Sequence, residues 1–352
     1  MWRKCPAKKG WWSPGPPRPA KRFAFPKACG TAHTSRCLLL LLTDPERAVR
    51  VVFLGSQEIG EACLRVILRG GDEVVGVGTF EPAAHEAWTD GVAGLAREHG
   101  LHRIRGRRFR TAAAIRELQD LKPDILFAIG WRWILPPEVL AIPAKGCLGI
   151  HGSLLPRLRG FAPVNWALIR GEAETGPTLF YFDEGTDTGD VVGARPFPIT
   201  DTDDAATVRA RLAEESVALL AEHLDGLRDG TAPRTGQDHS RATIAPRRRP
   251  EDGRVDWSAS PQTVVNWVRG LTRPYPGAFT TLAGETLRIW KVAEAFESLE
   301  PGAFRVAADG AAYAGVSGGA VRIVDATLGD EDTRAEKERA FGALSRGGRF
   351  ES

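Results

Sequence analysis

Val49-Arg50-Val51-Val52-Phe53-Leu54, followed by Gly55-Ser56-Gln57-Glu58, decides how the rest of this chain is read. The first six residues make a short apolar run bounded by a turn, which is a buried strand, and Ile59, Cys63, Val66 and Ile67 then recur at helical spacing. Strand, turn and helix in that order open an α/β unit. Outward from it, strands at 73–79, 124–130 and 147–152 alternate with a helix around 92–99, and alternation of this kind favours a parallel sheet. Thr178-Leu179-Phe180-Tyr181-Phe182 and residues 191–199 add two strands. The helix after Thr202 carries Val208, Leu212, Leu219, Leu220, Leu224 and Leu227 along one side, suited to packing on that sheet. The predicted fold class is therefore α/β, a Rossmann-like, mostly parallel sheet domain over residues 49–230. Gly55 and Gly60 do not spell the glycine fingerprint of a dinucleotide site.

Residues 231–250 are rich in Gly, Pro, Arg and Asp without sustained periodicity and are expected to be a linker. Beyond it the pattern changes. A short helix at 261–271 leads into Pro274-Tyr275-Pro276-Gly277, and short strands near 278–282, 286–290, 303–307 and 320–326 alternate with Gly-containing turns. This predicts a small β-barrel over 251–330 and a polar, partly helical tail over 331–352.

The 352 residues carry a formal charge of +3, but residues 1–48 hold ten Lys/Arg against Asp44 and Glu46. The remainder keeps 37 basic and 42 acidic side chains, so the body has no general field of the kind that attracts nucleic acid. Residues 1–48 read as a disordered basic extension without the apolar centre and cleavage site of a secretory signal. Met1 is the only methionine, which admits a mis-assigned start; an organellar address is the weaker alternative on composition. Of five cysteines, Cys63 and Cys147 lie in the body, in apolar contexts and without metal-ligand spacing, so a reduced cytoplasmic compartment and no metal site are expected. The apolar run 37–42 is far too short to span a bilayer, which takes about 20 residues.

The chemistry-bearing residues lie past the fourth strand, in Gly149-Ile150-His151-Gly152-Ser153-Leu154-Leu155-Pro156-Arg157-Leu158-Arg159-Gly160. An isolated histidine at a strand end is usually structural, but small flanking residues leave room for a ligand, and an imidazole can take a proton from an amine or steady an oxyanion. Downstream, Asp183-Glu184-Gly185-Thr186-Asp187-Thr188-Gly189-Asp190 follows another apolar strand, and both motifs could open onto one rim of the sheet. The bland reading of its aspartates is turn formation.

Together with Trp131-Arg132-Trp133-Ile134-Leu135-Pro136, these runs resemble the formyltransferase family that uses 10-formyltetrahydrofolate, over about residues 49–327. The resemblance implies that the barrel over 251–330 is OB-like, and it implies transfer of the formyl group to a primary amine, with His151 and Asp187 as the catalytic pair and no metal. It also implies a folate slot framed by Trp133, Leu135, Pro136, Ser153, Leu154, Leu155, Pro156, Phe182, Asp183 and Glu184. Family members usually have Asn where Gly149 stands, so either a backbone N–H, a water or Asn165 takes over from the missing amide, or the reaction is altered or lost.

Two features bear on the acceptor. Enzymes acting on initiator tRNA generally carry a basic insertion where this chain has the acidic residues 80–90, and the 162–166 region looks closer to amino-sugar formyltransferases. The expected acceptor is a small amine on a nucleotide-linked sugar, with tRNA disfavoured. Methionyl-tRNA formylation, hydrolysis of the formyl-folate and a non-catalytic folate- or nucleotide-binding homologue are the alternatives. The run Arg247-Arg248-Arg249 is expected to be solvated surface, with contact to a phosphate as the alternative.

Overall fold

The computed structural model describes residues 48–81, 91–105, 109–329 and 333–351. The basic extension, apart from its last residue, and most of the acidic segment, residues 82–90, lie outside them.

The strands β1 (Arg50–Gly55), β2 (Glu73–Gly78), β3 (Ile125–Ile129) and β4 (Cys147–His151) are parallel. The short pieces β5 (Arg159–Gly160) and β6 (Glu174–Thr175) precede β7 (Thr178–Tyr181) and β8 (Val191–Ala194), which extend the sheet antiparallel in the order β2-β1-β3-β4-β7-β8. The strand expected at 191–199 is broken. Pro196 offers no N–H, and β9 (Phe197–Pro198) pairs instead with β6.

Alternation along the strands builds a core on each side. Val51, Phe53, Ile125 and Phe127 meet the helices α1 (Gln57–Arg69) and α2 (Gly91–Glu98), whereas Val52, Leu54, Leu126 and Ala128 meet α3 (Ala112–Asp120) and α4 (Pro137–Leu140). After α5 (Pro163–Ile169), the 25-residue α6 (Ala205–Asp229) covers the first face with Leu219, Leu220, Leu224 and Leu227. Asp204 caps its first turn and Gly230, at φ 74°, ends it. Near that end Arg228 grips Asp72 with two bonds of 2.9 Å, both groups buried. Burial pulls the Arg228 pKa down, but the bonds to Asp72 outweigh it and the net direction is upward.

Residues 231–250, expected as a linker, are bonded to the α/β unit along much of their length. Thr235 exchanges backbone bonds with Val191 at 2.8 and 3.0 Å, and β10 (Ile244–Ala245) pairs with β5. Two-residue pairings leave no periodicity in the sequence, which is why this stretch resembles a free connection.

The helix α7 (Pro261–Leu271) then packs on α5 and on the strands β11 (Ala278–Leu282), β12 (Glu285–Ala295) and β15 (Gly319–Leu328), whose sheet also holds β13 (Ala303–Val306) and β14 (Ala312–Val316). They form a curled antiparallel sheet, the OB-like half of the molecule. The last residues were expected as a polar, partly helical tail; they do form the helix α8 (Arg334–Leu344), but it buries Ala340 and Leu344 in this core. Strand β16 (Gly348–Arg349) pairs with β13, and Glu351 bridges to Thr281, which brings the sheet round. Isolated apolar residues among Arg, Glu and Gly gave no pattern, so burial here is visible only in the fold. Among the described residues no helix is long and apolar enough to cross a membrane.

Candidate active site

His151 ends β4 and is 8 % exposed. Its Nε2 lies 2.8 Å from the Leu158 carbonyl oxygen, which can only accept, so Nε2 carries a proton. Its Nδ1 is 3.5 Å from Asp187 Oδ2, and the same oxygen accepts the Gly160 N–H at 2.7 Å. The pair comes together by a different route from two strand ends sharing one rim. Because β7 runs antiparallel to β4, its far end lies beside Leu148, and the following loop folds back along β4. Phe182 donates its N–H to the Cys147 carbonyl at 2.8 Å, and five residues later Asp187, at φ 54°, reaches His151. Asp tolerates this left-handed backbone better than most residues.

Gly149 has its own steric cause. A Cβ built on it would lie 2.4 Å from the Phe182 ring and 3.0 Å from the Ala128 carbonyl oxygen. The space of an asparagine side chain is taken by an aromatic ring. Asn165 does not compensate: it is fully buried in α5, and its Nδ2 donates to the Gly270 carbonyl at 2.7 Å, toward the second domain. This corrects the expectation that it replaces the missing amide.

Several residues of the expected folate slot hold the loops rather than face a cleft. Ser153 is 1 % exposed and donates to the Arg157 carbonyl at 2.5 Å, and Leu155 N–H is held by Thr178 Oγ1 at 3.2 Å. Leu135 lies in the core beside Val139. Asp183 accepts from Gly185 N and Thr188 Oγ1 at 3.0 and 2.6 Å, closing its own turn, while Glu184 is exposed. Leu154, Pro156, Pro136 and Phe182 are half-buried. Trp133 stands in an aromatic cluster with Trp131 at 4.9 Å and Phe80 at 4.6 Å, and the Arg132 guanidinium lies 4.4 Å from the Phe80 ring centre. Trp131 Nε1 is a buried donor without a partner among the described residues. An aromatic wall and a spare N–H suit a planar ring rich in acceptors. The described residues contain no group of three or more His, Cys, Asp or Glu that could hold a metal ion.

Beyond Gly160 the surface alternates arginine and aromatic rings. Arg247 lies 5.7 Å from the Phe161 ring centre, and Arg170 and Arg248 lie 5.2 and 5.5 Å from that of Trp166, whose Nε1 donates to the Pro246 carbonyl. Phe161 and Ile244 are 48 % and 62 % exposed. Burial lowers the Arg248 pKa from its ordinary value, and its Nε has no partner among the described residues.

An α/β sheet bearing a histidine–aspartate pair and, after it, an OB-like barrel make up the two parts of the chain. The family models for formyl transferase and for the formyl transferase C-terminal domain match residues 50–224 and 248–341, and the chain belongs to the formyltransferase family. It is a 10-formyltetrahydrofolate-dependent formyltransferase. A methionyl-tRNA formyltransferase of Geobacter sulfurreducens is 40 % identical over 72 % of this chain and 81 % of its own. One from Geobacter metallireducens is 36 % identical over 79 % and 90 %. The N-formyltransferase of Helicobacter canadensis, solved with folinic acid and dTDP-3-aminofucose, shares the fold at TM-score 0.62 with 18 % identity, covering 78 % of this chain and 98 % of that one. The expectation of a sugar-nucleotide acceptor with tRNA disfavoured is overturned by the relatives at 34–40 % identity, which are methionyl-tRNA formyltransferases. The sugar enzymes among the solved structures share the fold only.

Proposed function

We propose that this chain formylates the α-amine of methionyl-tRNA, working in the cytoplasm. The observation that carries the reading is the run of methionyl-tRNA formyltransferases at 34–40 % identity over most of the chain. The rim of Arg170, Arg247 and Arg248 interleaved with Phe161 and Trp166 supports it, since guanidinium groups meet phosphates and aromatic faces stack on bases. Two buried free cysteines, Cys63 and Cys147, suit a reducing compartment.

The co-substrate supplies the formyl carbon. Trp133, Phe182 and the half-buried Leu154 and Pro156 would hold its ring. His151 takes the proton that the amine releases as the new carbon–nitrogen bond forms, and returns it to the departing folate nitrogen. Nε2 stays tied to Leu158, so Nδ1 is the atom that exchanges the proton, and the Asp187 carboxylate beside it steadies the imidazolium. No carboxamide stands at Gly149, which leaves the charge on the formyl oxygen to backbone donors.

The test supplies the full chain with 10-formyltetrahydrofolate and either methionyl-tRNA or a nucleotide-linked amino sugar. Methionyl-tRNA is expected to be formylated, with kcat falling about 10²–10⁴-fold in His151→Ala and Asp187→Asn. Formylation of the sugar alone, or near-unchanged rates in both variants, would end this reading.

A further inference from the structure

We infer that Gln237 is a positioning residue for Asp187, tying together the two loops that carry the His151–Asp187 pair; the inference rests on the roles proposed above for that pair. Gln237 comes from the segment between the domains, outside both sequence motifs. Its Oε1 accepts from Arg159 Nε and Nη2 at 3.2 and 2.6 Å, and its Nε2 donates to the carbonyls of Asp187 and Gly189 at 3.0 and 2.7 Å. A guanidinium only donates and a carbonyl only accepts, so the amide has one orientation in which every contact is a bond. Turned over, it would lose all four.

What the clamp joins makes the assignment. Three consecutive residues each hold a different part of the site: the Leu158 carbonyl holds His151 Nε2, the Arg159 side chain holds Gln237, and the Gly160 N–H holds Asp187 Oδ2. Arg159 is 5 % exposed, and its further partner is His239 Nδ1 at 3.2 Å. No carboxylate among the described residues pairs with it. A buried cation satisfied by a neutral amide fixes that amide without drawing Asp187 away from the imidazole. Asp187 sits in left-handed backbone at φ 54°, held at its carboxylate by Gly160 and at its carbonyl by Gln237. Without Gln237 only the carboxylate end is anchored, and the 3.5 Å gap to His151 Nδ1 is free to widen. Misplacement of a catalytic group by about 1 Å can cost on the order of 10²-fold in rate.

The experiment is a double-mutant cycle on the full chain, with kcat, KM for 10-formyltetrahydrofolate and the unfolding midpoint measured for Gln237→Ala, Gln237→Glu, Asp187→Asn and Gln237→Ala/Asp187→Asn. Gln237→Ala is expected to lower kcat about 10–100-fold, with KM unchanged within about 2-fold. Gln237→Glu keeps the Arg159 contact but turns an acceptor toward two carbonyls, and should lose as much. In the Asp187→Asn background the second substitution should change kcat less than about 2-fold. Equal losses in both backgrounds, or a wild-type rate for Gln237→Glu, would overturn the assignment while leaving the catalytic pair intact. A wild-type rate for Asp187→Asn alone would remove the pair and with it the role given to Gln237. Should Gln237→Ala fail to fold, Gln237→Glu carries the same cycle.

Discussion

At the scale of single residues, Gly149 and Phe182 are one unit: the ring lies against β4 because the glycine has no Cβ. Gly149→Ala would put a methyl 2.4 Å from that ring and 3.0 Å from the Ala128 carbonyl. A cost of about 1–3 kcal/mol in denaturant unfolding is expected, with reduced formyl transfer as Phe182 shifts beside the slot. An unchanged unfolding midpoint would show that the ring gives way freely. His151 and Asp187 were legible in the sequence because each sits in a run of small and polar residues that a core strand or helix does not need. Asn165 misled, since an amide two residues past a proline carries no sign that it will turn inward to Gly270. Gln237 was invisible: one polar residue in a Gly-, Pro- and Arg-rich stretch looks the same whether it meets water or makes four hydrogen bonds to the protein.

At the scale of elements, β10 is the piece that the sequence least prepares for. Just before it, Thr243 Oγ1 accepts the Leu158 N–H at 2.9 Å, and its carbonyl accepts the Arg159 N–H at the same distance, so two residues of the loop after His151 hang on it. Thr243→Val keeps the shape and leaves the Leu158 donor without its acceptor. Equilibrium unfolding should show a loss of about 1–3 kcal/mol, and kcat should fall because the Leu158 carbonyl orients His151. Wild-type values of both would make the pairing incidental. Helix α7 and strand β11 match their expected bounds, 261–271 and 278–282, because an amphipathic helix behind a serine cap and an alternating strand are locally patterned. Strand β14, Ala312–Val316, escaped because its small residues carry little hydrophobic contrast, and β16 because its ladder is two residues long.

At the scale of the whole molecule, one cysteine reports on each face of the main sheet. Cys63 lies in the core under α1, α2 and α6, Cys147 in the core under α3 and α4, and burial pushes both thiols up from 9.0 to about 12. A thiol held neutral by the fold contributes stability that is complete below its unfolded value. That stability drains away as the pH climbs toward the folded value. The unfolding midpoint is therefore expected to fall between about pH 9 and 12, and peptide mapping after alkylation at pH 8 should find both cysteines unmodified until denaturant is added. Labelling of Cys147 alone in native protein would place an opening on the catalytic face.

Because Gln237 and Thr243 are supplied from beyond α6, a ribosome that has delivered only the Rossmann-like portion has not yet made the bonds that brace Asp187 and the loop after His151. Those bonds form when the stretch up to Ala245 emerges and docks. The same dependence bears on where natural recombination can exchange one barrel for another: a crossover at Gly230 takes these bonds from the incoming chain, and one after Ala245 keeps the resident ones.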